Sequence, residues 1–258
     1  MTKLYSKLIT HVLNLKRSPH RWGFMTAHLA DHNIHATRFE AVDGNKLTEK
    51  EIVFSYDVTN NRTKYFWPLH PSEIGCYMSH RLSMQAFLND SESDYLLLLE
   101  DDVEANELFS KHIEEWLSIV NKSNPTLLKL FTKRRIRGPK VTTVQGITVV
   151  RPNRIPLGCV AQLLNKAAAQ KMLEFSGPFF RPIDVDYQLW WQHGIDVLCT
   201  KTSLFNEVSQ KLGGSTIGGV SDLGMWGKAK RELGRSHFRV KLSVLSHLYR
   251  LINKLKEG

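Results

Sequence analysis

The chain contains 258 residues, of which 42% are hydrophobic and 10% are aromatic, and its formal net charge is +10 at pH 7. This apolar content excludes an intrinsically disordered protein, and the length allows one large α/β domain or two small ones. Residues 228–258 hold nine Lys and Arg against two acidic residues, so +7 of the charge lies in this tail and only +3 in the preceding 227 residues.

The first predicted strand covers residues 9–15 and leads through a basic turn into a helix that begins at Pro19. A strand, a basic turn and a helix in this order place Arg17 and Arg21 where a phosphate or a base could bind. The alternative is that both arginines are simply solvated.

A second strand is predicted over residues 36–42, and a capping box from Thr48 to Glu51 then starts a helix. Residues 60–71 show no hydrophobic period and are rich in Asn, Tyr and Trp, so we expect a loop there. Another helix is predicted from Ser72.

Residues 95–104 combine an apolar run with an acidic cluster. Four consecutive leucines at positions 96–99 are typical of a strand buried on both faces of a sheet. In open α/β sheets, ligands bind just outside the carboxyl ends of the strands, which is where the acidic cluster begins. The acidic residues of the cluster are Glu100, Asp101, Asp102 and Glu104.

The remaining elements complete a predicted α/β fold. They are a helix at 106–120, a strand at 127–131, a hairpin at 141–150, a strand at 158–164, a helix capped by Asn165, a helix entered at Pro182 that carries Trp190 and Trp191, a strand at 195–199 and a loop at 205–219. The sequence has no internal repeat or low-complexity linker. We therefore expect one compact domain over residues 1–225, followed by a tail over 226–258.

The tail is predicted to be a basic amphipathic helix. Such a helix favours binding to an anionic membrane surface, to which each basic residue contributes about 1 kcal/mol. The alternative is a terminal helix that packs its apolar stripe on the domain. The stripe consists of Phe238, Leu242, Leu245, Tyr249, Ile252 and Leu255.

The three cysteines and the absence of targeting signals indicate the compartment. Cys76, Cys159 and Cys199 are odd in number, widely spaced and without a C-x-x-C pair, which argues for reduced thiols and against a disulfide or zinc framework. No signal-peptide region is visible, and no segment approaches the about 20 apolar residues of a membrane-spanning helix. We expect a cytoplasmic protein that is peripheral on the inner face of the cytoplasmic membrane.

Two acidic clusters could carry chemistry. The segment 100–102 can hold Mg²⁺ or Mn²⁺ on a diphosphate, because hard cations prefer oxygen ligands. Asp184 or Asp186, near a helix start, can act as a general base that deprotonates an acceptor hydroxyl. The alternative for the first cluster is a solvated acidic turn that caps the next helix.

In this order, several short segments resemble the signatures of glycosyltransferase family 25, the lipooligosaccharide biosynthesis group that also includes procollagen galactosyltransferases. The matching segments are Asn14-Leu15-Lys16-Arg17 with Arg21, residues 39–44, Glu73-Ile74-Gly75-Cys76 with Ser79-His80, Leu99-Glu100-Asp101-Asp102, Pro182-Ile183-Asp184-Val185-Asp186, and Gln210 with Ser215-x-Ile217. The resemblance covers about residues 9–217 and leaves the tail out.

The resemblance implies a GT-A-like, Rossmann-type mixed sheet that is mainly parallel and flanked by helices. It also implies an inverting, metal-dependent transfer from a nucleotide sugar, with Mn²⁺ or Mg²⁺ as the cofactor. Bacterial members commonly use UDP-galactose and form a β bond to a lipid-linked saccharide of lipooligosaccharide or lipopolysaccharide. The implied partners are therefore a nucleotide sugar and a lipid-linked oligosaccharide, without nucleic acid.

The roles of individual residues follow from the same resemblance. Asp102 is the expected metal ligand, with Glu100 facing the metal or the ribose, and Asp184 or Asp186 is the expected base. The residues expected at the nucleotide sugar are Asn14, Arg17, Asp43, Ser79, His80, Glu100 and Asp101. One departure is Lys16, which stands where the family frequently has an Asp, and this change could alter donor choice.

Two other functions are compatible with parts of the sequence. A metal-dependent phosphoesterase or nuclease would also need clustered carboxylates, but the excess positive charge lies in the tail rather than in a groove. A non-catalytic, glycosyltransferase-like binding module would be expected to have lost one of the acidic clusters, and both are present.

Overall fold

A computed structural model describes residues 4–120, 123–214 and 225–257 of the chain. The Ser215-x-Ile217 segment and the end of the loop predicted over 205–219 therefore lie outside the described residues. No helix within the described ranges is long and apolar enough to cross a membrane.

The centre of the molecule is an eight-stranded mixed sheet in the order β2-β1-β3-β8-β5-β9-β7-β6, and a second small sheet pairs β10 with β4. The strands are β1 (Leu8–Asn14), β2 (Thr37–Glu40), β3 (Tyr95–Glu100), β4 (Val103–Ala105), β5 (Thr126–Lys129), β6 (Lys140–Val144), β7 (Ile147–Val150), β8 (Ala161–Asn165), β9 (Asp196–Thr200) and β10 (Phe205–Glu207). In the large sheet, six described strands run in one direction, and β7 and β8 run in the other. The predicted mixed, mainly parallel sheet is confirmed.

Helices cover both faces of this sheet, as predicted. The α-helices of the described residues are α1 (Pro19–Asp31), α2 (Glu49–Ser55), α3 (Val58–Lys64), α4 (Pro71–Asn89), α5 (Glu107–Lys111), α6 (Ile113–Val120), α7 (Lys166–Phe175), α8 (Ile183–Asp186), α9 (Trp190–His193) and α10 (Met225–Glu257). Helices α1 and α6 pack in one core, and α4 and α7 pack in the other.

Strand β3 is hydrogen-bonded at both edges, to β1 in parallel and to β8 antiparallel, and a helix-containing core covers each of its faces. Its side chains alternate between two cores. Leu97 and Leu99 pack in the core that includes α1 and α6, whereas Leu96 and Leu98 pack in the core that includes α4 and α7. The four-leucine run is therefore fully buried, and the acidic residues after it emerge at the edge of the sheet.

Four predicted segments differ from the structure. The single helix predicted from Pro182 through Trp191 is two short helices, α8 and α9. Residues 60–71 are not all loop, because α3 begins after Asp57, whose carboxylate caps it by accepting from the Asn60 N–H at 2.8 Å. This helix has few apolar residues, so its sequence shows no helical hydrophobic period. The predicted helix at 106–120 is broken at His112 into α5 and α6. Part of the predicted loop at 205–219 is β10, which pairs with the short strand β4.

The C-terminal helix α10 packs one face against the domain. The ring of Phe238 meets that of Tyr65 edge to face at 5.1 Å, and Leu242 is buried. Near its end, the ring of Tyr249 stacks on that of Trp191 at 5.4 Å. The stripe predicted from the sequence thus packs on the domain through these three tail residues, as the alternative to membrane binding required.

Candidate active site

A cleft with a volume of about 330 Å³ opens at the carboxyl ends of β1 and β3, between α4 and α8. Parallel strands place the residues that follow them at one edge of the sheet, which is why distant segments meet here. The predicted site residues that line the cleft are Arg17, Asp43, Ser79, His80, Glu100, Asp101, Asp102 and Asp184. Asn14 and Asp186 are not among its lining residues.

A buried arginine organises the turn after β3. Arg21 projects from the first turn of α1 and donates to Asp101 Oδ1 at 2.7 Å and to Asp102 Oδ2 at 3.1 Å. Its other terminal nitrogen donates to the Gly214 carbonyl at 2.5 Å. The side chain of Arg21 is only 2% exposed, so its charge acts on the two carboxylates with little screening by water.

Asn14, at the end of β1, fixes the same turn from below. Its amide Nδ2 donates to Asp101 Oδ2 at 2.6 Å and to the Ser18 carbonyl at 3.0 Å, while its Oδ1 accepts from Arg38 Nε at 2.9 Å. Both oxygens of Asp101 are thereby engaged by protein groups. In this structure, Asn14 and Asp101 support the turn and leave the neighbouring carboxylates to face the cleft.

The other two carboxylates of the turn, Glu100 and Asp102, are crowded by like charge. Oδ1 of Asp102 is buried and has no hydrogen-bond partner among the described residues. Burial raises the pKa of Asp102, against the opposing pull of Arg21. Burial, together with the charges of Asp102 and Asp101, raises the pKa of Glu100 from 4.5 to about 8.

This donor set fits a hard divalent cation. Mg²⁺ and Mn²⁺ are usually held by one or two carboxylates together with the phosphates of a nucleotide. The orphaned oxygen of Asp102 can supply one such ligand, and burial together with the charges of Asp102 and Asp101 raises the pKa of Glu100, the second candidate ligand. The residues expected to hold a metal are therefore placed where they could do so.

The opposite wall of the cleft is built by the segment between β2 and α4. Arg17 Nε donates to Asp43 Oδ2 at 2.9 Å, and this bond lowers the pKa of Asp43. Ser79 Oγ accepts from the Val42 N–H at 2.8 Å and so ties the segment to α4. The backbones approach so closely that a Cβ on Gly75 would lie 2.6 Å from the Val42 carbonyl oxygen.

The two carboxylates of α8 have different surroundings. Asp184 lines the cleft, and its Oδ2 accepts from the Gly158 N–H at 2.9 Å. Asp186 is 3% exposed and accepts from Tyr77 Oη and from Arg181 Nε, each at 2.6 Å. Burial raises the pKa of Asp186 in spite of Arg181. Of the two, only Asp184 is placed to contact a ligand in the cleft.

The structure adds lining residues that the sequence did not single out for the site, notably Cys76, Lys133 and Glu207. Lys133 Nζ lies 2.5 Å from Glu207 Oε2. Lys133 begins a basic run after β5 that continues with Arg134, Arg135 and Arg137. Glu207 lies in β10, a strand that was predicted as loop, so no local pattern could have placed it here.

Comparison with known proteins agrees with the resemblance seen in the sequence. A family model described as glycosyltransferase family 25 (LPS biosynthesis protein) matches residues 8–188. A "Glycosyltransferase 25 family member" from Aedes aegypti is 22% identical over 179 residues, which are 68% of this chain and 29% of that protein. The chain therefore spans less than a third of the length of this curated relative.

Two solved glycosyltransferase structures are similar at a much lower level. A mutant Drosophila β-1,4-galactosyltransferase 7 in complex with manganese, UDP-Gal and xylobiose is 10% identical, with 83% of this chain and 77% of that one covered and a TM-score of 0.39. A glycosyltransferase involved in glycosylation of the major capsid of PBCV-1 is 11% identical, with 89% and 98% covered and a TM-score of 0.39. Similarity at this level says nothing about the ligands of this chain.

Proposed function

The chain belongs to glycosyltransferase family 25, and we propose that it transfers a sugar from a UDP-sugar to a saccharide acceptor with inversion at the anomeric carbon. One observation carries the proposal: Glu100 and Asp102, at the end of β3, share a cleft with Asp184 of α8. A cation-binding pair and a separate carboxylate base in one cleft are the parts that a single displacement needs.

Asp102 and Glu100 would hold Mn²⁺ or Mg²⁺ together with the diphosphate of the donor. When bound, the cation supplies Lewis-acid stabilisation of the charge that develops on the departing UDP. Without it, a diphosphate would meet a cleft edge that already crowds three carboxylates, at positions 100, 101 and 102. Asp101 keeps its place through Asn14 and Arg21, so it positions the pair rather than joining it.

Asp184 is the proposed base. Inversion requires one base on the far side of the anomeric carbon from the leaving diphosphate, as in the water-activating carboxylate of inverting glycosidases. The Gly158 N–H holds Oδ2 of Asp184, and its Oδ1 has no hydrogen-bond partner among the described residues. That oxygen can accept the proton of the acceptor hydroxyl as the hydroxyl oxygen attacks the sugar.

Arg17 and Asp43 are proposed to orient the nucleotide. Arg17 is half exposed and lines the cleft, and its bond to Asp43 restrains the guanidinium there. By family resemblance, the proposed donor is UDP-galactose, the new bond is β-linked, and the acceptor is a lipid-linked saccharide of lipooligosaccharide or lipopolysaccharide.

The test is release of UDP from a panel of UDP-sugars by the purified chain with Mn²⁺, beside Asp102→Asn and the control Glu104→Gln. Glu104 follows the same turn but is not among the lining residues, so its variant should behave like wild type. Release from one donor, lost in Asp102→Asn and in EDTA, would support the proposal. Cleavage of nucleic acid instead would indicate a nuclease, and no release with no thermal stabilisation by UDP would indicate a non-catalytic module.

We also propose that α10 docks the enzyme on an anionic membrane, where a lipid-linked acceptor would be found. The helix has a second apolar stripe, opposite the packed face, whose residues are 45–86% exposed. The stripe consists of Trp226, Leu233, Val240, Val244, Leu248 and Leu251, together with Leu255, which was predicted for the packed stripe but is 83% exposed. The net charge of +7 on residues 228–258 favours an anionic lipid surface and opposes pairing with a second, equally charged copy.

Vesicle flotation tests this docking. Wild type should bind vesicles that contain phosphatidylserine or phosphatidylglycerol and should bind neutral phosphatidylcholine vesicles several-fold less. Val244→Glu with Leu248→Glu should abolish the binding, whereas Ser243→Glu, on the same helix but outside the stripe, should weaken it only slightly. Equal binding to neutral vesicles, or concentration-dependent dimers lost in the double variant, would contradict the proposal.

A further inference from the structure

His80 is a buried polar group that the proposed transfer does not use. Its ring is fully buried beneath the cleft, and neither ring nitrogen has a hydrogen-bond partner among the described residues. Buried polar atoms in folded proteins are nearly always paired, so such a ring requires an explanation. Burial keeps the imidazole neutral, with a lone pair available to a ligand.

Two further ligand-type groups lie against this ring. Cys76 is one helical turn before His80 on α4, so the two side chains project from the same face of the helix. Glu100 reaches the same point from the end of β3, with its Oε1 4.0 Å from His80 Nε2. One ligand atom from each of the three residues lies within 4.8 Å of the other two.

We propose that Cys76, His80 and Glu100 form a zinc-binding site at the floor of the cleft. Bonds of about 2.0–2.3 Å in a tetrahedral site place ligand atoms roughly 3.3–3.8 Å apart. The observed separations exceed this range by about 1 Å or less, a gap that small side-chain rotations can close. Three protein ligands leave the fourth position open to the cleft.

The chemistry of the donor set selects the ion. Thiolate and imidazole ligands suit Zn²⁺, whereas Mg²⁺ and Mn²⁺ prefer oxygen ligands such as those of Asp102. Binding Zn²⁺ displaces the proton of the Cys76 thiol and any proton on Glu100. Because Glu100 also belongs to the proposed hard-cation site, zinc bound at Cys76 and His80 would withdraw Glu100 from the Mn²⁺ or Mg²⁺ that holds the diphosphate.

The consequence for function is antagonism between the two ions. Zinc should inhibit transfer in competition with Mn²⁺, and Cys76→Ser should relieve this inhibition. The site itself does not depend on the proposed reaction, so a binding experiment without turnover tests it separately.

The experiment is a Co²⁺ titration of the metal-free full-length chain, followed by absorption. We expect one ion per chain with a thiolate-to-cobalt charge-transfer band, displaced by Zn²⁺ but not by Mg²⁺. Cys76→Ser should abolish the band, and His80→Gln should weaken binding by about 100-fold or more. Cys199→Ser is the matched control, because Cys199 is buried in a separate cluster with Ile136 and Val150, and it should leave the band unchanged.

X-ray absorption on the zinc-loaded wild type needs no variant. It should show one sulfur at about 2.3 Å together with nitrogen or oxygen at about 2.0–2.1 Å. A zinc ion with oxygen and nitrogen ligands only, or a cobalt band that survives Cys76→Ser, would overturn the proposal. Either result would overturn the zinc site whether or not the chain releases UDP from a UDP-sugar.

Discussion

The turn after β3 and the short helix α8 both border the cleft with acidic residues, and each has a buried arginine, but the two use it differently. Arg21 is shared between Asp101 and Asp102. Arg181 instead pairs with one carboxylate, and its Nε lies 2.6 Å from Asp186 Oδ1. One guanidinium therefore offsets two carboxylates in the turn and one in α8.

This difference gives the two segments different chemistry. In the turn, negative charge remains in excess, and burial together with this charge raises the pKa of Glu100 to about 8. In α8, the charge of Asp186 is matched locally by Arg181, whereas Asp184 faces the cleft and pairs with no arginine in the described part of the chain. The turn is thus suited to bind a cation, and α8 is suited to present a single base.

The largest expected effect is on the base. Asp184→Asn keeps the shape of the side chain and its bond to the Gly158 N–H but cannot take a proton. We expect kcat for transfer to fall about 10³-fold, as is typical for loss of a general base, with little change in the affinity for UDP. Initial rates and UDP titrations measure the two quantities.

The stability of Asp184→Asn distinguishes a loss of chemistry from a loss of folding. Asp184→Asn should unfold in urea within about 0.5 kcal/mol of wild type, because Asp184 lies at a partly open surface. A variant that lost activity only through unfolding would contradict the role of Asp184 as a base.

The arginine partner of α8 is the next test. Arg181→Met leaves the carboxylate of Asp186 buried without its cation, so we expect a loss of about 3 kcal/mol in the free energy of unfolding at pH 7. The loss should be smaller at pH 5, because the pKa of Asp186 would rise further and the folded state would then take up a proton. Urea unfolding at the two pH values measures this.

The control is Arg151→Met. Arg151 forms an exposed pair with Asp196, with Nη2 2.6 Å from Oδ2, and exposed pairs contribute about 0–1 kcal/mol. Equal losses of stability in Arg181→Met and Arg151→Met would show that the buried pair contributes no more to the free energy of unfolding than the exposed pair.

For the turn, the test is cation affinity. Asp102→Asn removes the charge whose Oδ1 has no partner among the described residues, so we expect Mn²⁺ to bind about 10–100-fold more weakly in the presence of UDP. Calorimetric titration of Mn²⁺ measures the change. Unchanged affinity would show that the cation binds elsewhere, and the turn would then not differ from α8 in binding a cation.

The sequence predicted the parts of the site that depend on local pattern. The four-leucine run identified β3, and the position of 100–102 after a buried strand placed the acidic turn at a sheet edge. The prediction was possible because ligands of open α/β sheets generally bind just outside the carboxyl ends of the strands. The predicted strand 127–131 and helix start at Asn165 were also close to β5 and α7.

Long-range contacts were beyond what the sequence could show. Asp184 and Asp186 are two residues apart in similar local sequence, and only the packing of Tyr77 and Arg181 around Asp186 distinguishes them. Cys76 appeared as a lone thiol because Glu100, which approaches it in space, belongs to a different element. The three-residue strand β10 was missed because its partner among the described strands is β4, about 100 positions earlier in the chain.

The smallest expected effect concerns Glu100 and the pH dependence of stability. Its folded-state pKa of about 8 lies above the usual 4.5, so the folded state binds this proton more tightly than the unfolded state. The resulting stabilisation is complete below about pH 4.5 and is lost as the pH rises through about 8. About a quarter of the side chain remains accessible, at 27%, and water screens part of the repulsion.

We therefore expect metal-free wild type to lose about 1–2 kcal/mol of stability relative to Glu100→Gln between pH 5 and pH 8.5. Urea unfolding of both proteins in EDTA across this range measures the difference, with Glu104→Gln as a control that should run parallel to wild type. If the free energies of unfolding of wild type and Glu100→Gln changed equally with pH, the negative charge at the turn would already be balanced. Arg21 alone would then suffice for the turn as Arg181 does for α8, and the case for a cation at Asp102 would lose its electrostatic basis.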